Sequence, residues 1–129
     1  MAYGFVRDWA GRIRYLPGIH SPFKHIRAEA GRQSHSHKIQ GGAQEIMKIA
    51  MAGIHREVIP YWRALGKDIM AILQIHDAIM IRHRGFSAEE KAELDAQVRA
   101  CMYSAAPADY KVPLDAGYNN AETWGKLDH

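Results

Sequence analysis

The sequence predicts an α+β fold in which antiparallel strands lie under helices. Three observations carry that expectation. Apolar residues recur at helical spacing from about Phe23 to Ile59; residues 69–83 form two β-branched, aliphatic runs around one polar pair; and Ser87 with Glu90 forms a capping box that opens another helix. The polar pair, His76-Asp77, sits at the centre of the most hydrophobic stretch of the chain, between Ile72, Leu73 and Ile75 on one side and Ile79, Met80 and Ile81 on the other. A chain of 129 residues is one domain by size.

Taken in order, residues 3–8 and 12–17 alternate partly in polarity and flank Trp9-Ala10-Gly11, which reads as a β-hairpin with a glycine turn. Ser21-Pro22 has the form of an N-cap followed by a first-turn proline. In the long helical segment Ile39, Ala43, Met47, Ala50, Ile54 and Val58 step by three or four and should line one face. Gly41-Gly42 interrupts that run, and each glycine costs roughly 1 kcal/mol relative to alanine in a helix interior, so a break or kink is expected there, giving two helices instead of one. Pro60 should close the segment. Two strands then turn near Asp77. Leu94, Val98, Cys101 and Met102 mark the buried stripe of the helix that begins at Ser87, and residues 110–118 offer a last short strand with Pro113 at its edge. The predicted order is β-β-α-α-β-β-α-β.

Composition restricts the function classes. Hydrophobic residues make up 47% and charged residues 24% of the chain, an ordinary globular balance. No apolar run approaches the ~20 residues that span a bilayer, so no membrane partner is expected. The first residues lack the layout of a signal peptide. A single cysteine, Cys101, cannot form an internal disulfide, which suits a reducing, cytoplasmic setting. Charge is uneven: residues 1–40 hold seven Lys/Arg against two acids, and residues 85–129 hold four against eight. A basic front half suits a polyanion, and it equally suits an unevenly solvated surface. His35 and His37, two apart on a helix, point to different sides with no cysteine or acid cluster beside them, which excludes a zinc site.

Asp77 has two readings from its residues alone. Aspartate favours tight turns because its side chain accepts a bond from the backbone two residues on. A carboxylate held on a rigid hairpin can also bind a hard divalent cation such as Mg²⁺, which takes carboxylate oxygens together with phosphate and water. No second acid stands in a comparable setting.

The surroundings add a resemblance. Gly4-Phe5-Val6 with Gly11-Arg12 through Leu16-Pro17, then Arg27, Ala30, Arg32 and Gln40-Gly41, then Lys48-Ile49-Ala50-Met51, then Ile75-His76-Asp77-Ala78, and last Val112-Pro113-Leu114 with Glu122-Thr123-Trp124, occur in that order. The ordered set resembles the C-terminal palm segment of family A, DNA polymerase I-like, DNA polymerases, and it covers nearly the whole chain. The resemblance implies that residues 1–129 form the C-terminal part of a palm domain with an antiparallel palm sheet. The implied activity is a DNA-directed nucleotidyltransferase of phage or bacterial kind, serving DNA replication by two-metal transfer. Asp77 would be a Mg²⁺ ligand and catalytic, with His76 beside it at the primer terminus. Arg32, Ser36 and Gln40, at i, i+4 and i+8, would face the primer–template duplex, with Arg12 and Arg27 as further DNA contacts; Arg12 and Arg14 are equally plausible as surface charges. Minor-groove acceptors are similar in all base pairs, so such contacts would sense pair shape without reading sequence.

Three departures from the family pattern matter. The strand bearing the family's other metal-binding aspartate and the fingers helix that grips the deoxynucleoside triphosphate have no counterpart in these residues. Ala78 stands where a glutamate usually follows the aspartate, and Ser36 stands where an asparagine is usual. The expectation is therefore a split enzyme completed by an N-terminal polymerase fragment that supplies the rest of a two-ion site. The alternative is a catalytically inactive, DNA-binding palm remnant.

Overall fold

The computed structural model describes residues 4–127, so Tyr3, the first residue of the expected hairpin, lies outside the described residues. The chain is α+β, as its sequence predicts, and divides into two compact units, Met1–Lys48 and Ile49–His129. Each contains one two-stranded antiparallel sheet.

In the first unit β1 (Phe5–Arg7) pairs with β2 (Ile13–Tyr15), with Val6 opposite Arg14. The connecting turn is shaped by Asp8, whose Oδ1 accepts the N–H groups of Ala10 at 3.1 Å and Arg12 at 2.9 Å. Gly11 takes the left-handed conformation that closes it, at φ +89°. Val6, Leu16 and Ala30 form a small core, flanked by Ile19. The first helix, α1, spans Lys24–Ser36. Ser21 is not its N-cap as expected: the cap position is Phe23, and Ser21 Oγ accepts only the Phe23 N–H, at 3.2 Å. The Arg27 guanidinium instead gathers the entering chain, donating to the carbonyls of Ser21 at 2.7 Å and Pro22 at 2.9 Å.

The expected break or kink at Gly41-Gly42 takes the form of a π-turn between two α-helices, with no non-helical gap. Residues His37–Gly41 form a π-turn, and Gly42 opens α2 (Gly42–Gly53) with helical angles of φ −61° and ψ −43°. The glycines also serve closeness. A Cβ on Gly42 would lie 3.0 Å from the Trp9 indole, and one on Gly41 would lie 3.3 Å from the His37 ring. A π-turn inserts one extra residue and shifts the angular phase by about 100°. The predicted apolar stripe accordingly fails at its start: Ile39 is 74% exposed and Ala43 is exposed, whereas Met47, Ala50, Ile54 and Val58 are buried.

The second unit contains another π-turn (Ile54–Val58), followed by α3 (Ile59–Ala64). Pro60 does not terminate the helix. It occupies the first turn of α3, which is entered directly from the π-turn, with Val58 at φ −73° and ψ −51° and Ile59 at φ −63° and ψ −47°. The stop comes at Gly66, at φ +78°, with Gly66 N–H bonded to Arg63 O and Lys67 N–H to Trp62 O, a Schellman motif. Strands β3 (Asp68–Ile75) and β4 (Ala78–Arg84) follow, then α4 (Ala88–Ser104). The capping box forms as predicted: Ser87 Oγ accepts the Glu90 N–H at 3.2 Å, and the Glu90 carboxylate accepts the Ser87 N–H at 2.8 Å. Lys67 Nζ, 2.7 Å from the same carboxylate, ties the α3 exit to the start of α4. Replacing Ser87 with Ala should cost about 1 kcal/mol, read as a lower urea midpoint with unchanged slope.

Ile54, Val58, Ile59, Trp62, Ile69 and Leu94 make the core of this unit, with Ile79, Ile81, Phe86, Val98 and Cys101 packed against it. The expected last strand is absent: residues 110–118 have no regular pairing. Pro113 lacks the N–H a ladder would need, and Val112 is 61% exposed. Trp124 lies in a short 3₁₀ turn, Trp124–Lys126. Among the described residues no helix is long and apolar enough to cross a membrane.

Candidate nucleic-acid interface and hairpin carboxylate

The β3–β4 hairpin answers how a polar pair can sit inside an apolar segment. Ile75 pairs with Ala78, so His76 and Asp77 are the two residues of the turn. His76 takes the left-handed backbone at φ 51°, alone among the described non-glycine residues, and its carbonyl accepts from Gln74 Nε2 at 2.8 Å. Histidine is among the residues that tolerate this conformation better than β-branched ones. The stem is anchored where Ile69 enters the core and its carbonyl accepts from Arg63 Nε at 3.1 Å; Arg82 pairs with Asp68 at 2.9 Å.

Six residues further along the strand, roughly 20 Å at the usual rise, the hairpin is bare. The register shifts by one residue between Ala71 and Leu73, making Ile72 a bulge. Ile72 is 52% exposed, and Leu73 and Ile75 are exposed as well. Asp77 is exposed at the tip and makes no side-chain hydrogen bond or ion pair among the described residues. The turn thus presents an unengaged carboxylate on a two-stranded arm. Among the described residues no group of three His, Cys, Asp or Glu could hold a metal ion. Asp77 thus offers at most one carboxylate to a cation, and the described residues do not gather further ligands around it.

The stem itself is sensitive to pH. Burial, reinforced by Lys91, holds the His83 imidazole below its ordinary value of 6.5. The folded state then binds that proton more weakly than the unfolded chain. The contribution to stability is complete above 6.5 and is lost as pH falls through the depressed value. Thermal midpoints should fall on going from about pH 8 to about pH 5.5, and His83→Gln should flatten the slope in that window.

The predicted DNA-contact residues Arg12, Arg27, Arg32, Ser36 and Gln40 belong to the first unit, and His76 and Asp77 belong to the second. Arg32 and Ser36 lie one helical turn apart on α1. Arg32 is exposed and paired with Glu29 through Nε at 3.1 Å and through Nη2, and that pairing holds the Glu29 carboxyl below the usual range, with Gln33 assisting. An exposed pair of this kind contributes little to stability, so its guanidinium can exchange partners at small cost. Gln40 is exposed within the π-turn, so its angular offset from Ser36 differs from that of an unbroken α-helix. Arg27 is occupied by its two carbonyls. Arg12 pairs with Glu45, which also receives Lys48 at 3.1 Å.

Sequence reasoning gave no role at the π-turn to Asp8, Trp9 or Glu45, which lie beside it, and read His37, its first residue, only as a rejected metal ligand. The Asp-x-x-Gly spacing at Asp8 and Gly11 was the available signal for the turn they build.

Comparison with known proteins places these features. The pattern of the family described as DNA polymerase family A matches residues 1–126. DNA polymerase I of Mycobacterium leprae is 31% identical over 126 residues, 98% of this chain and 13% of that protein. The thermostable DNA polymerase I of Thermus caldophilus is 31% identical over 121 residues, again 13% of its length, and DNA polymerase I of Pseudomonas aeruginosa is 34% identical over 114 residues, 12% of its length. A solved structure, the POL domain of Pol1 from M. smegmatis in complex with DNA primer-template and dNTP, superposes with a TM-score of 0.66 and 33% identity, covering 81% of this chain and 17% of that one. The chain thus spans about an eighth of the length of the curated relatives it matches, and by sequence and by fold it belongs to DNA polymerase family A.

Proposed function

We propose that this chain is the C-terminal palm portion of a family A DNA polymerase used in DNA replication. In this reading it acts on primer–template DNA and deoxynucleoside triphosphates as one part of a split enzyme, in the cytoplasm. An N-terminal polymerase fragment supplies the fingers and the remaining carboxylates. The observation that carries the reading is the exposed Asp77 on its hairpin arm: a turn whose acid serves only folding would spend an oxygen on nearby backbone, as Asp8 does with Oδ1. Bound there with outside carboxylates, divalent cations would supply activation of the primer 3′-hydroxyl and charge neutralisation at the leaving pyrophosphate.

The chain's own residues have distinct parts in this reading. Asp77 provides one hard oxygen ligand, and His76, fixed by its backbone angle, borders the primer terminus. Arg32 meets a phosphate by exchanging Glu29 for it. Ser36 and Gln40 reach base-pair edges from the groove side, and Arg12 and Arg27 add positive charge near the backbone.

Primer extension tests the reading. The chain alone, with Mg²⁺ and all four deoxynucleoside triphosphates, should give no product. The chain mixed with a fingers-bearing upstream fragment of a family A polymerase should extend the primer. The second reading, a DNA-binding palm remnant, draws on Ala78 beside Asp77 and on the incomplete ligand set. It predicts salt-sensitive duplex binding that is indifferent to Mg²⁺, with no extension in the mixture.

A further inference from the structure

The turn of the first hairpin packs against the π-turn and the start of α2 through Asp8, Trp9 and Arg12. The Trp9 indole Nε1–H donates to the Gly42 carbonyl at 3.1 Å, and the ring lies against the bare Cα of Gly42, where a Cβ would be 3.0 Å from it. Asp8 is 7% exposed, with Oδ1 spent on its own turn and Oδ2 buried without a hydrogen-bond partner among the described residues. That Oδ2 is 3.5 Å from the position a Cβ on Gly41 would take, and the His37 ring is 3.3 Å from the same position. On the far side Arg12 pairs with Glu45 in the first turn of α2. Trp9 and Arg12 therefore bond to residues 42 and 45, and Asp8 lies close to Gly41 without a bond to it.

A π-turn is uncommon because an α-helical path through the same residues keeps the tighter hydrogen-bond pattern. The two paths differ by one residue of phase, about 100° around the axis. Something outside the helix must select the wider one, and the indole bond to the Gly42 carbonyl is placed to do so. We propose that Trp9 is a positioning residue, which holds the π-turn in register so that Gln40 presents its amide to the primer–template duplex. The inference rests on the reading that Gln40 faces that duplex.

Trp9→Phe keeps an aromatic ring and deletes the N–H, and Gly42→Ala displaces the ring from the opposite partner. Two readouts are needed on the 129-residue chain: amide hydrogen exchange across residues 37–42, and fluorescence anisotropy with a labelled primer–template duplex. Each variant is paired with Gln40→Ala. Both substitutions should speed exchange in that segment by roughly five- to tenfold, and weaken duplex binding about as much as Gln40→Ala does. Gln40→Ala should then cost nothing further in either background, the non-additivity of residues acting through one another. A full additional loss in those backgrounds, or unchanged exchange in both variants, overturns the positioning role while leaving the functional reading intact. Absence of duplex binding by the unsubstituted chain overturns the functional reading, and the positioning role with it.

Discussion

Asp77→Asn is expected to reduce primer extension by the reconstituted mixture roughly a thousandfold, about 4 kcal/mol of transition-state stabilisation, the scale on which a metal-held charge acts. The substitution is nearly isosteric and replaces one anionic oxygen with an amide. Asp77 is exposed and makes no side-chain bond among the described residues, so its loss should leave the fold untouched. The contrast is diagnostic. Single-turnover extension should collapse while the urea midpoint and duplex affinity stay within experimental scatter of the unsubstituted chain. Equal extension by both proteins would remove Asp77 from the chemistry and leave it as a turn residue.

The largest effect on stability is expected at Trp62. Its side chain is 1% exposed, stacks against Phe86 with ring centroids 4.8 Å apart, meets Tyr61 edge-on, and donates its indole N–H to Gln97 Oε1 at 2.8 Å. Trp62→Ala removes the residue on which α3, the stem of the β3–β4 hairpin and α4 converge, and should cost about 3–5 kcal/mol. That is a large share of the stability of any small unit. In urea the second unit should lose its cooperative transition or show it at a much lower midpoint. Trp62→Phe keeps the ring and loses the bond to Gln97, so it should fall between. A midpoint for Trp62→Ala within about 1 kcal/mol of the unsubstituted chain would mean that the core does not depend on this residue.

Much of this architecture was legible in the residues. The hairpin at Gly11, the strands around His76-Asp77 and the capping box at Ser87 all have local causes, and local causes show in sequence. The failures have several causes: a contact from a distant residue at Gly42, π-turns that shift the helical phase, and at Pro113 a missing N–H. Gly41-Gly42 reads as a helix breaker until Trp9, thirty-three residues before Gly42, fills the space a side chain would need. Pro60 reads as a stop until a π-turn places it at a helix start. Ile39 reads as core until the same kind of turn rotates it outward. For the candidate site, Asp77 was legible because it is a lone acid among aliphatics. The braces around Gln40 were not, since their partners are brought together only by folding.

The extra residue at Ile72 separates two duties of one strand. Below it, the side-chain alternation of β3 is fixed by Ile69 in the core; above it, the alternation of β3 is re-phased against a β4 that carries no extra residue. A one-residue deletion there would leave the stem free to pack as before and Leu73 opposite Met80, yet remove the local bend and added twist that the bulge gives the arm. The inserted residue therefore sets the bend of the arm and leaves the packing of its stem to Ile69.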